Sequence, residues 1–312
     1  MADIPQREAY GRALADYGSV NENIVVLDAD TSSSTLTHFF ARKFPDRFFN
    51  IGIAEPCLGD FGVGMALGGF VPFVNAFAAF LSLRAIEQVR TCVAYAETNV
   101  KLVGHYAGVS DYKDGPTHNC IVDLAVMRAL PNMTVIVPSD NNQIVNWLPI
   151  ITEFKGPVYF RMSRDKSLPV HPADVKSEIG KGITLREGSD VTLIATGTMV
   201  GRCLLAADAL QEKGVSACVL EIHTLKPLDV DVVANAAKKT GAIVTAEEHS
   251  IIGGLGGAVA EALAEIHPTP MIRVGINDRF PVTAKDADLL MDYLGLGVTD
   301  IVQASLDVIK RK

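Results

Sequence analysis

The stretch RFFNIGIAEPCLGDFGVGMALGGF, residues 47–70, decides how the chain is read. An apolar run ends in one carboxylate, Glu55. Pro56 follows, and then a segment of small residues with Gly59, Gly62, Gly64, Gly68 and Gly69. Proline suits the first helical position, where its missing N–H costs nothing. The pattern therefore predicts a strand, a stiff turn and a helix, with Glu55 at the junction. In open α/β sheets, ligands gather at the carboxyl ends of strands. An acid at such a place has two readings: a helix cap, since acids are favoured at helix N-termini, or a contact to a ligand. The glycines are poor helix formers. They are tolerable where another backbone or helix packs close, and a contact between two chains is one such case.

Outward from this stretch, short apolar runs alternate with longer helical patterns. Strands are expected at 24–27, 48–53, 71–74, 101–104, 134–137 and 158–161, and helices at 7–17, 56–67, 77–97, 121–129 and 141–153. Strands that read as solid apolar blocks between helices imply a parallel sheet covered on both faces. The composition then changes: DKSLPVHPADVKSEIGKG, residues 165–182, is polar and proline-bearing. A second series follows, with strands in DVTLIAT, VSACVLEI, AIVTAEE and MIRVGI and helices near 199–212, 230–239 and 255–264. The expected fold class is α/β, as two three-layer α/β/α domains with mainly parallel sheets. They occupy residues 1–165 and 186–312, joined by a linker at 166–185.

The 312 residues suit about two domains. The chain is 48% hydrophobic and 21% charged, enough for substantial cores. Formal net charge is −8 with no long basic run, which argues against general nucleic-acid binding but not against a phosphorylated ligand. Five scattered cysteines, none in a C-x-x-C pair, fit a reducing cytoplasm. The N-terminal residues lack a signal-peptide pattern, and no apolar run is long enough to span a membrane.

Two further segments carry candidate chemistry. In GGFVPFVNAFAAFLSLRAIEQVR, Phe77 and Phe80 are three apart and would share a helix face. In HYAGVSDYKDGPTHN, Asp-Gly-Pro is turn chemistry that presents Asp114, Thr117 and His118 after a strand end. His105, Asp114 and His118 thus crowd one loop at one sheet edge.

With these pieces the chain resembles the transketolase family of thiamine diphosphate enzymes. The resemblance rests on LDADTSSSTLT, FPDRFFNIGIAE, the Phe77/Phe80 segment, DGPTHN, ALPNMTVIVPSD, YFRMSR and AEEHSIIGGLGGAVAE, in family order over nearly the whole chain. It implies a pyrimidine-binding domain followed by a transketolase C-terminal domain. It implies that Glu55 is catalytic, hydrogen-bonding N1′ of the cofactor's aminopyrimidine and so favouring its activated tautomer. Phe77 and Phe80 would line the pyrimidine pocket, with Leu83 where a third aromatic is common. By the same likeness His118 sits near the substrate's reacting oxygens, Asp114 near a sugar hydroxyl, and Arg164 on the sugar phosphate. His105 is a further substrate candidate, and Asp28 and Asp30 match an acidic strand end that is either near the site or a turn anchor.

The family's diphosphate anchor, Gly-Asp-Gly with a later Asn holding Mg²⁺ or Ca²⁺, is absent: Gly59–Asp60 is followed by Phe61, and Lys113 precedes Asp114–Gly115. The resemblance therefore implies half of a split transketolase. A second subunit would bring the diphosphate and the metal, and two copies of each chain is the natural assembly. His38 stands where relatives often have a phosphate-contacting Arg, and Lys113 replaces an acid. Both are substrate-binding candidates, and both leave open an ordinary pentose phosphate, a branched sugar or a sulfonated one. Rival readings are the β subunit of a 2-oxo acid dehydrogenase E1 component, a catalytically silent assembly subunit, and a nicotinamide dehydrogenase suggested by GGLGG at 253–257. The 1-deoxyxylulose-phosphate synthases share the resemblance but normally carry all three domains in one chain.

Overall fold

The segment IVVLD, Ile24–Asp28, is buried at every position, and so are Lys101–His105, Thr134–Ile136 and Val158–Arg161. Strands with no solvent face need cover on both sides, and the helices between them supply it. In the computed structural model, which describes residues 4–312, the first half runs α1 (Gln6–Tyr17), β1 (Ile24–Asp28), α2 (Ser32–Thr35), α3 (His38–Lys43), β2 (Phe48–Asn50), α4 (Glu55–Leu67), β3 (Val71–Phe77), α5 (Ile86–Gln88), β4 (Lys101–His105), α6 (Asp123–Ala129), β5 (Thr134–Ile136), α7 (Asn141–Glu153) and β6 (Val158–Arg161). The second half adds β7 (Ile183–Arg186), β8 (Val191–Ala195), α8 (Met199–Glu212), β9 (Ala217–Glu221), β10 (Thr224–Lys226), α9 (Val230–Thr240), β11 (Ile243–Ser250), α10 (Leu255–Ile266), β12 (Met271–Ile276), α11 (Ala287–Tyr293) and α12 (Val298–Ile309). The first three residues of the expected 1–165 domain lie outside the described residues.

The first sheet has the order β10-β5-β6-β4-β3-β1-β2, and the second β12-β11-β8-β9-β7. The six strands of the first half are mutually parallel, so their carboxyl ends share one edge. That edge carries the loops after β1, β3, β4 and β6, and it is where a ligand would be held. The two mainly parallel sheets are as the sequence leads one to expect.

Four features differ in detail. β10 leaves the second half and pairs antiparallel with β5 (Thr224 opposite Ile136), so the halves share a sheet edge. β7 begins inside the expected linker and pairs antiparallel with β9. Phe77 ends β3 and does not open a helix; the winding that follows is of π type over Phe80–Arg84 and again over Val89–Tyr95. Such segments are uncommon and concentrate at functional sites. The strand expected at 48–53 stops at Asn50, whose Oδ1 accepts from the N–H groups of Asp30 and Gly52.

Local chemistry accounts for the helix ends. Asp140 caps α7 by accepting from the N–H of Gln143 at 2.9 Å, and Asp229 caps α9 from Val232 at 3.1 Å. α9 closes on Gly241 at φ 64°, a left-handed conformation glycine adopts without penalty. No helix among the described residues is long and apolar enough to cross a membrane.

Candidate functional site

Glu55 is the first residue of α4 and is 1% exposed. The N-cap, Ala54, has no side-chain cap, and the Glu55 carboxylate accepts from no backbone N–H among the described residues. Its partner is Arg84, whose Nη1 donates to Oε2 at 2.9 Å. The helix-cap reading is therefore replaced by a buried carboxylate aimed at side-chain chemistry. The glycines that follow act partly within the chain: a Cβ on Gly62 would lie 2.7 Å from Val74 Cγ2, so α4 rests tightly on β3 there.

Beside Glu55 stands an aromatic group. The rings of Phe77 and Phe80 stack at 6.0 Å between centroids, Phe77 and Tyr106 at 4.3 Å, and His118 meets Phe80 edge-on at 5.2 Å. His118 Nδ1 is paired with Thr117 Oγ1 at 3.0 Å, which leaves Nε2 for a ligand. Asp114 and Lys113 are exposed on the same loop.

Two residues without a local sequence signal complete the edge. Tyr106, at φ 58°, follows β4 directly, and Arg7 reaches it from α1: Nη1 of Arg7 donates to Tyr106 Oη at 2.6 Å and to the Ser34 carbonyl at 2.9 Å. The guanidiniums of Arg7 and Arg164 lie 5.6 and 5.2 Å from the centroid of the Tyr106 ring. Arg164 is held by Asp111 Oδ1 at 3.3 Å and, through its own N–H, by Ser110 Oγ at 3.1 Å. The Nε of both arginines is buried and has no partner among the described residues. Burial, with a contribution from Asp114, pushes the Asp111 carboxyl up to about 6 although Arg164 works the other way.

His105 is brought to a different place. It is the last residue of β4, fully buried, with Nε2 on Asn75 Oδ1 at 3.0 Å and its ring edge-on to Tyr10. Burial, with the charge of Arg7, holds its imidazole down at about 3, so it stays neutral and internal. The next residue, Tyr106, leaves the strand in a left-handed conformation and carries its ring against Phe77. His38 is half-buried against Phe39, with Nδ1 on the Ser32 carbonyl at 3.1 Å. Neither histidine hydrogen-bonds Arg7, Tyr106 or Arg164: His105 is tied to Asn75 and His38 to the Ser32 carbonyl.

The remaining motifs support the edge. Asp28 accepts from Thr31 (N and Oγ1), Thr35 Oγ1 and Thr37 Oγ1, and so folds LDADTSSSTLT into the loop that offers the Ser34 carbonyl to Arg7. It is a turn anchor. Glu248 accepts from the Val109 N–H and from Thr198 Oγ1, both at 2.7 Å, and so ties the 105–118 loop to the second half. Arg161 bonds Asp123 at 2.8 Å and the Glu248 carbonyl at 3.0 Å. The neighbouring Glu247 caps α10 through the N–H groups of Leu255 and Gly256. GGLGG therefore holds a carboxylate of its own chain at the helix start, where a dinucleotide would need its phosphates.

No group of three or more His, Cys, Asp or Glu that could hold a metal occurs among the described residues. The donor set at the edge, one buried carboxylate, aromatic rings and two arginines, fits a planar heteroaromatic ring and an anionic substrate. It does not fit a diphosphate with its cation.

Comparison with known proteins agrees. Residues 2–168 match the family model described as "Transketolase, pyrimidine binding domain", and residues 180–301 that described as "Transketolase, C-terminal domain". The chain is 43% identical over 309 residues to a putative transketolase C-terminal section of Methanocaldococcus jannaschii, covering 98% of this chain and 96% of that one. It is 41% identical to the 6-deoxy-6-sulfo-D-fructose transketolase subunit SqwH of Clostridium sp., covering 98% and 95%. A solved structure titled "Split gene transketolase, inactive beta4 tetramer" superposes with TM-score 0.90 at 44% identity, covering 99% of both chains. The chain belongs to the transketolase family, and it corresponds to the pyrimidine-binding and C-terminal domains of that family.

Proposed function

We propose that this chain is one subunit of a split transketolase. It transfers a two-carbon ketol unit from a ketose to an aldose acceptor and works only with a second subunit. When bound, thiamine diphosphate supplies the nucleophilic carbon that takes up and releases the two-carbon unit. Glu55 would hold N1′ of the aminopyrimidine, and Phe77 and Phe80 would pack the ring. His118, through Nε2, would exchange a proton with a substrate hydroxyl, and Asp114 would bind another hydroxyl. Arg7 and Arg164, both close to the Tyr106 ring, would clamp the anionic end of the sugar; Lys113 lies exposed on the 105–118 loop. That end is a phosphate or a sulfonate, since two guanidiniums suit either.

The partner subunit would bring the diphosphate site with Mg²⁺ or Ca²⁺, in an assembly of two copies of each chain. Its docking surface on this chain is the exposed side of α4 and its surroundings, where Phe61, Leu67, Phe70 and Tyr95 are exposed. The domains would divide as residues 1–165 and 186–312 around 166–185.

The observation that carries this reading is the buried Glu55 carboxylate, uncapped, beside the Phe77–Phe80–Tyr106–His118 cluster. The test is the reconstituted two-subunit complex with Glu55→Gln. Turnover should drop by roughly 10²–10⁴, the range for a lost proton-handling group, with assembly intact. Unchanged turnover would mark the chain as a silent assembly subunit, and oxidative decarboxylation of a 2-oxo acid in place of ketol transfer would mark it as an E1 β subunit.

A further inference from the structure

Arg84 combines two contacts that the proposed function gives to a cofactor. Its Nη1 donates to Glu55 Oε2 at 2.9 Å, and its Cζ lies 4.2 Å from the centroid of the Phe80 ring. A guanidinium is planar, cationic and edged with N–H groups. An aminopyrimidine packed on Phe80, with N1′ protonated against the Glu55 carboxylate, would present the same three features to the same two side chains. We propose that Arg84 is a resident surrogate for the cofactor's pyrimidine, occupying its seat until the cofactor displaces it, and that it sets the affinity of that seat. The inference rests on the reading of Glu55 and Phe80 given above.

The physical reason is an imbalance in burial. Glu55 is 2% exposed at its side chain, and an unpaired carboxylate there would be costly. Arg84 is 46% exposed at its side chain, so it can swing into water at small cost. The backbone permits the swing. Arg84 ends the π-wound segment Phe80–Arg84, and Ala85 breaks the winding at φ −95°, ψ 10° before α5 begins. Glu55 is thus neutralised while the seat is empty, and the neutralising group hangs from a bend. Leu83, the position where a third aromatic is common in the family, is 51% exposed and leaves the guanidinium room to leave.

A seat that is occupied part of the time binds its ligand more weakly by the fraction of time it is free. A half-exposed ion pair with one cation–π contact corresponds to a factor of about 3 to 30. The experiment titrates thiamine diphosphate with Mg²⁺ into the assembled complex by calorimetry, for the unaltered chain, Arg84→Ala, Arg84→Lys and Glu55→Gln, with the assembly state measured in parallel. Arg84→Ala should bind about 3- to 30-fold more tightly and associate faster. Arg84→Lys, which keeps the charge but loses the planar stack, should fall between, and Glu55→Gln should bind more weakly. Equal or weaker binding by Arg84→Ala overturns the proposal. So does loss of assembly in Arg84→Ala that Arg84→Lys restores, because that assigns Arg84 to the partner contact. Should none of the complexes bind the cofactor, the proposed function itself fails, a result distinct from equal binding by all.

Discussion

Nη1 of Arg164 lies 3.3 Å from Oδ1 of Asp111, a carboxylate with no exposed surface. Its other oxygen has no partner among the described residues. Burial and the charge of Asp114 push this carboxyl up to about 6, and Arg164 only partly offsets them. Between about pH 4 and about pH 6 the folded chain therefore holds a proton that the unfolded chain has released. Stability from this group falls as pH rises through that window, and the loss is complete above it. Asp111→Asn has no such window. The difference in unfolding free energy, variant minus unaltered, should rise by up to about 3 kcal/mol from the bottom of the window to neutral pH. Urea denaturation at a series of pH values reads it, and a difference independent of pH would contradict the assignment.

Arg7 and Arg164 lie 5.6 and 5.2 Å from the centroid of one tyrosine ring, and each charge-assisted bond to an anion contributes about 1.5–3 kcal/mol. Arg7→Met should raise KM for an anionic ketose by about 10- to 100-fold and leave kcat much less altered. With a neutral ketose lacking the phosphate or sulfonate, the variant and the unaltered enzyme should behave alike. A fall in kcat with unchanged KM would remove Arg7 from the clamp.

Gly108 has φ 64°, and a Cβ there would lie 2.3 Å from Glu248 Oε1. That oxygen holds the Val109 N–H, so the added methyl must push apart the tie between the 105–118 loop and the second half. Gly108→Ala should cost about 1–3 kcal/mol of stability. It should also raise KM, because Asp111, Asp114 and His118 all hang from the same loop. Denaturation and steady-state kinetics on one preparation check both.

Asp123 and Arg161 form an ion pair inside the protein at 2.8 Å, with Tyr159 Oη also on the carboxylate at 2.8 Å. Burial alone would raise the Asp123 carboxyl, but the charges of Arg161 and His249 outweigh it and hold it low. Arg161→Met leaves the carboxylate buried without its cation and should destabilise the chain by about 3–5 kcal/mol. Adding Asp123→Leu should recover much of that loss. A single variant as stable as the parent would show that water reaches the pair.

Leu67 is 77% exposed on α4. Leu67→Asp should leave the unfolding free energy of the isolated chain within about 0.5 kcal/mol, as surface changes usually do. The same change should weaken association with the second subunit in sedimentation or light-scattering measurements. Unaltered association would move the partner's footprint off this face.

The candidate site was legible where one residue's type, place and neighbours agreed. Glu55 before Pro56 at a strand end, and Asp-Gly-Pro before Thr117 and His118, are local patterns with local causes. Arg7 was not legible: 99 residues separate it from Tyr106, and nothing in QREAYGR marks a helix-start arginine as belonging to a loop after β4. Glu247 and Glu248 read as one acidic pair, yet one caps α10 and the other braces the 105–118 loop.

By itself the sequence determined the parallel α/β order of both halves, because solid apolar runs between amphipathic segments admit few other layouts. It also determined the family and the absence of a Gly-Asp-Gly motif. Only the tertiary structure decided that β10 crosses to the first sheet, that Arg7 and Arg164 both come to Tyr106, and that Arg84 sits on Glu55. The reason is range: periodicity and turn chemistry act over a few residues. Pairings between residues far apart in the chain are set by how whole layers pack, which no short window of sequence contains.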